Sequence, residues 1–227
     1  MTEGAWLSSA DPLAMWEYLR RRASERKCRL LAAAALRRLA GYFSDDAAVL
    51  ELLVGAAEAG ERFADGTLSS NEFRRLREQF HLYTRLGALS DAQRFAGEVV
   101  SGLFADSPAE AAYAITFAPD AVAELDEERL PAATPRRERE IAAQASLVRD
   151  LFGNPFRPVT FDPAWQTEAA VGLARGIYES GDFGPMQVLA DALEDAGCAD
   201  AEMLAHCRGD GPHVRGCWVV DLVLGNG

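Results

Sequence analysis

The sequence predicts an all-α protein, an irregular multi-helix bundle with a compact carboxy-terminal helical subdomain. Three observations carry this. Helix-capping residues recur along the chain, apolar positions between them follow helical spacing, and no segment shows sustained two-residue alternation of β-branched residues.

Asp11-Pro12 places an N-cap before a proline at the first helical position, where its missing N–H costs nothing. Leu13, Trp16 and Leu19 then form an apolar stripe. Ser24 caps a helix through Cys28, Leu31, Leu36 and Leu39 to about Gly41, and its run from Ala32 to Ala35 permits close helix approach. Asp45 or Asp46 starts a third helix, which stops at Asp65-Gly66. Ser69 and Glu72 form a capping box, opening a helix that runs to Leu86 and ends at Gly87. Ser90 begins the next. Ser107-Pro108-Ala109-Glu110 is a further capping box, and Thr134-Pro135 starts a helix closed by Gly153.

Residues 126–139 are charged and proline-bearing and read as a linker or exposed loop. They suggest a division into an amino-terminal helical region, 1–130, and a carboxy-terminal one, 131–227. Asn154-Pro155-Phe156-Arg157-Pro158 is a stiff turn. Asp162-Pro163 then starts a helix over about 164–178, with others near 185–196 and 201–207. The closing run from Cys217 to Leu224 reads as a short helix, with Trp218, Val219, Leu222 and Val223 expected to dock on the 185–196 helix.

Composition narrows the function classes. The chain has 227 residues and a formal net charge of −12, which argues against nucleic acid as a partner because phosphate contacts need a basic face. The exception is Arg20 to Arg38, with eight basic residues against the single acid Glu25. That run reads mainly as a solvated helix face paired with acids. No apolar stretch is long enough to predict a membrane span, and the first residues do not resemble an export signal. A cytoplasmic location is expected, where thiols stay reduced.

Chemistry-bearing residues concentrate at the end of the chain. Cys198, His206, Cys207, His213 and Cys217 all fall in its last thirty residues. A zinc site would take Cys198, Cys207, His213 and Cys217, three thiolates and one imidazole, with His206 as the alternative ligand. His206 and Cys207 are adjacent on an expected helix, so their side chains diverge by about 100° and do not ligate together. Against a metal, the set lacks a Cys-x2-Cys pair. Without an ion the cysteines are core thiols, and His213 is a loop residue bonded to nearby backbone. A cysteine nucleophile beside His206, His213 or Arg208 is the remaining chemical option, with no orienting residue identifiable.

Several blocks resemble an uncharacterised bacterial protein family abundant in planctomycete genomes. They are Trp6-Leu7, Asp11-Pro12 and Ser24-Glu25-Arg26-Lys27 near the start, then Phe152-Gly153-Asn154-Pro155-Phe156-Arg157-Pro158-Val159. The ending carries the most, from Leu189 to Cys198, His206-Cys207-Arg208, and Gly211-Pro212-His213-Val214-Arg215-Gly216-Cys217-Trp218. The resemblance implies no catalytic residues. Relatives are cysteine-rich in the second helix, where this chain has Ala33, Ala35 and Leu36, so it implies no metal site there. The expected function is a non-enzymatic helical binding protein acting on a protein partner, a second copy included. The alternative is a zinc-binding protein, or an enzyme with its site in the carboxy-terminal Cys/His region.

Overall fold

A computed structural model describes residues 1–86, 89–107, 109–110, 114–129 and 136–226. Helix accounts for 72% of it, and among the described residues there is no strand, so the fold is all-α. The described α-helices are α1 (Glu3–Ser8), α2 (Pro12–Leu19), α3 (Glu25–Ala40), α4 (Ala47–Ala64), α5 (Ser70–Leu86), α6 (Asp91–Leu103), α7 (Ala114–Arg129), α8 (Arg136–Phe152), α9 (Glu168–Ser180), α10 (Met186–Asp195), α11 (Ala201–Arg208) and α12 (Trp218–Leu224). No described helix is long and apolar enough to cross a membrane.

The chain forms two compact units that divide between Val148 and Arg149. The boundary expected at 130/131 lies outside the described residues, as do Gly87, Pro108 and Thr134-Pro135. Of the linker expected over 126–139, residues 126–129 and 136–139 are helical instead, in α7 and α8, and the remainder lies outside the described residues. Buried pairing explains why the first turns of α8 belong to the amino-terminal unit. Glu140 is fully buried, where it accepts hydrogen bonds from Arg38 Nε at 2.8 Å, Tyr42 at 2.9 Å and Gln144 at 2.7 Å.

In that unit α3 is the central helix, packing on α4, α6 and α7. Its alanine run is almost completely buried, as small side chains in a close helix contact must be. Gly60 serves the same end on α4: a Cβ there would lie 2.6 Å from Leu103 of α6. The expected caps form. Asp11 accepts from Leu13 and Ala14, Ser24 from Lys27, Asp46 from Val49, and Ser69 and Glu72 exchange hydrogen bonds. The basic run is largely absorbed by acids of its own unit, through Arg26–Asp65, Arg37–Glu61 and Arg38–Glu140 pairs.

The second unit, from Arg149 onward, packs α9 to α12 around a separate apolar core. Here two expectations change. Asp162-Pro163 opens only a short 3₁₀ turn, Pro163–Trp165, and α9 starts later because Thr167 caps it by accepting from Ala170 N. The last helix docks chiefly on α9, with a smaller contact to α11, rather than on α10. The Gln166 amide fixes this placement by donating to the Val223 carbonyl at 3.0 Å. Val219, Val220 and Val223 are fully buried, while Trp218 and Leu222 are half-buried.

Candidate metal centre

Four segments of the carboxy-terminal unit converge on one point. Asp150 comes from the last turn of α8, His206 from the last turn of α11, His213 from the loop after it, and Cys217 from the N-cap of α12. One ligand atom from each lies within 4.8 Å of all the others. Asp150 Oδ1 is 3.1 Å from His206 Nε2 and 3.1 Å from His213 Nδ1. His206 Nε2 is also 3.2 Å from Cys217 Sγ. A zinc tetrahedron with ordinary Zn–O, Zn–N and Zn–S bonds has edges of about 3.3–3.7 Å, so small adjustments would seat an ion.

Local structure aims each group inward. Asp150 is 1% exposed at its side chain, and its second oxygen accepts from Val214 N at 2.9 Å, which turns the first toward the histidines. His213 Nε2 faces the Gly209 carbonyl at 3.4 Å. With an ion at the centre, that partner would keep the proton on Nε2 and leave the Nδ1 lone pair for the metal; without one, Nδ1 donates to Asp150. The loop must fold tightly to do this. Gly211 sits at φ +85°, and a Cβ there would meet His213 N at 2.9 Å. Phe183 stacks beside His213, and His206 lies edge-on to His213 and 5.3 Å from Trp218, so aromatic rings wall the site.

The electrostatics of the group turn on the buried Asp150 carboxylate. Burial by itself would raise the Asp150 carboxyl, but hydrogen bonds from His206 and His213 outweigh it and hold the group below its ordinary value. Burial likewise opposes charge on His213, yet the hydrogen bond and charge of Asp150 lift its pKa above the usual imidazole value. Burial, joined by the charge of Asp150, pushes the Cys217 thiol well up, against the opposing Val220 and Val219 amides. Without an ion this sulfur is therefore a neutral thiol at physiological pH. With a divalent ion, Asp150 and Cys217 as anions and two neutral imidazoles would give a site of zero net charge, an economical way to desolvate all four.

The sequence-derived ligands divide. His213 and Cys217 are in the group, together with the alternative ligand His206. Cys198 and Cys207 lie outside it. Cys198 packs its sulfur 3.8 Å from Met203 Sδ, and Cys207 is a fully buried core thiol raised to about 12, first by burial. The 100° divergence of neighbouring helical residues does separate His206 from Cys207, and it is the imidazole that points at the centre. Asp150 was missed. Its one sequence signal is a carboxylate in the last turn of a helix, where the helix dipole disfavours an anion. No protein-family model, curated protein or solved structure matches the chain, so the assignment of these four residues stands on their geometry.

Proposed function

We propose that the carboxy-terminal unit is a zinc-binding module in which Asp150, His206, His213 and Cys217 hold a structural ion, and that the chain acts in the cytoplasm through protein contacts rather than catalysis. The observation that carries this is the position of one atom. His206 Nε2 lies 3.1 Å from Asp150 Oδ1 and 3.2 Å from Cys217 Sγ at once. A single ring nitrogen cannot donate to a carboxylate and also accept from a thiol, so these atoms are not arranged as a nucleophile relay, in which the base uses opposite ring nitrogens. Four such donor atoms facing one point suit a shared cation.

A structural role is favoured because four protein ligands close the tetrahedron, leaving no position for substrate or water. The mixed carboxylate, imidazole and thiolate set suits zinc, and the four free, buried cysteines suit a reducing compartment. The experiment is elemental analysis of protein purified without a metal-binding tag. About one zinc per chain is expected in the native protein and in Cys198→Ser, and less than about a tenth of that in Cys217→Ser and His206→Ala. A metal-free native protein that also fails to take up zinc in solution overturns the reading.

A further inference from the structure

The one fully buried cation of the basic run has no buried acid beside it. Arg29 is 3% exposed. Its NH1 donates to the Leu103 carbonyl at 2.5 Å, while its Nε is buried with no hydrogen-bond partner. The carboxylate recorded beside it is Glu25, 3.6 Å away and itself 59% exposed. By contrast Arg37 and Arg38 each meet a buried carboxylate. Buried charge is ordinarily paired, so a guanidinium held this deep by a neutral carbonyl and a loose surface acid leaves room for an anion.

Arg29 also lines a half-enclosed cleft of about 160 Å³. Phe63, Phe73 and Phe104 form its apolar wall, with Phe63 and Phe73 stacked at 4.1 Å. The guanidinium carbon lies 5.4 Å from the Phe73 centroid and 5.7 Å from that of Phe63. Arg74, exposed, and Arg77 stand at the cleft as well, Arg77 already engaged with the exposed Asp106 at 2.6 Å. The excess of guanidinium over carboxylate draws an anion, and the three rings require that most of it be apolar. A cavity of about 150 Å³ holds benzene, which fixes the size of the body.

We propose that this cleft binds a small aromatic monocarboxylate, its carboxylate meeting Arg29 with Arg74 at the mouth and its ring packed against Phe63, Phe73 and Phe104. Inorganic phosphate fits less well, because its oxygens would face three phenyl rings. The site is independent of the metal centre, which lies in the other unit.

Calorimetric titration of the full chain with benzoate, benzyl alcohol and inorganic phosphate tests it. Saturable benzoate binding with Kd below about 1 mM is expected, with benzyl alcohol and phosphate each weaker by about tenfold or more. Arg29→Lys keeps the buried cation but loses the planar fork, and should weaken benzoate about tenfold. Arg74→Gln, at an exposed position, should weaken it severalfold with the fold intact. Absence of saturable benzoate binding overturns the proposal, as does equal affinity for the alcohol or phosphate, or an affinity unchanged in Arg74→Gln and in a folded Arg29→Lys.

Discussion

Asp150 and His213 shift in opposite directions, and this gives the metal-free protein a pH signature. Asp150 is held below its ordinary value, so its contribution to stability is present above the unfolded carboxyl range and is lost as pH falls through the depressed folded pKa. His213 is raised, so its contribution is complete below the unfolded imidazole pKa and is lost as pH rises through the folded one. The metal-free protein should therefore lose stability as pH rises from about 6.5, the ordinary imidazole value, through the raised folded pKa of His213. A bound ion reverses that slope, because it competes with protons for Cys217 and both imidazoles. Melting curves across this interval, with and without chelator, should slope in opposite directions. Parallel curves would mean that no ion occupies these ligands. Asp150→Asn should flatten the metal-free slope, since the amide cannot stabilise an imidazolium.

The helices themselves were legible wherever a side chain decides the matter locally. Ser24, Asp46, Ser69 and Ser90 each satisfy amides of the first turn of their helix, and their chemistry is readable within four residues. Asp162-Pro163 shows the limit, because two caps compete within six residues and tertiary packing gives the long helix to Thr167. The metal group was half legible for a similar reason. His206, His213 and Cys217 are close in sequence, whereas Asp150 reaches them only through folding, and which of His206 and Cys207 faces the centre depends on how α11 is rotated in its unit. The last helix offers a test at this scale. Its three fully buried valines are each worth about 1.5–3 kcal/mol of burial, so ending the chain after Gly216 should destabilise the carboxy-terminal unit by several kcal/mol. The same truncation removes Cys217, and with it one of the four proposed ligands. Val223→Ala leaves every ligand in place, and should lower the melting temperature while zinc content stays near one per chain. A truncated protein that melts like the full chain would show that α12 contributes nothing to the core.

At the scale of the whole molecule, the two units have separate apolar cores: one is built from residues between Ala32 and Leu125, the other from residues between Ala170 and Val223. Their polar cross-links differ too. The amino-terminal unit is tied by half-exposed arginines paired with buried glutamates, which need no ion, whereas the carboxy-terminal unit gathers three helix ends and a loop at a point where carboxylate, thiol and imidazoles face one another. On the proposed zinc reading, free energy of metal binding would be stability of the second unit, since its ligands are brought together only by folding. Hydrogen exchange followed by mass spectrometry on the full chain should reveal this. Chelation is expected to speed exchange in peptides from α9, α11, α12 and the 209–216 loop, because local opening there no longer has to break metal bonds. Peptides from α3 and α4 should exchange at unchanged rates. Equal acceleration of α3 and α11 would place the effect of the ion on the entire chain, and no acceleration anywhere would remove the ion from the stability of either unit.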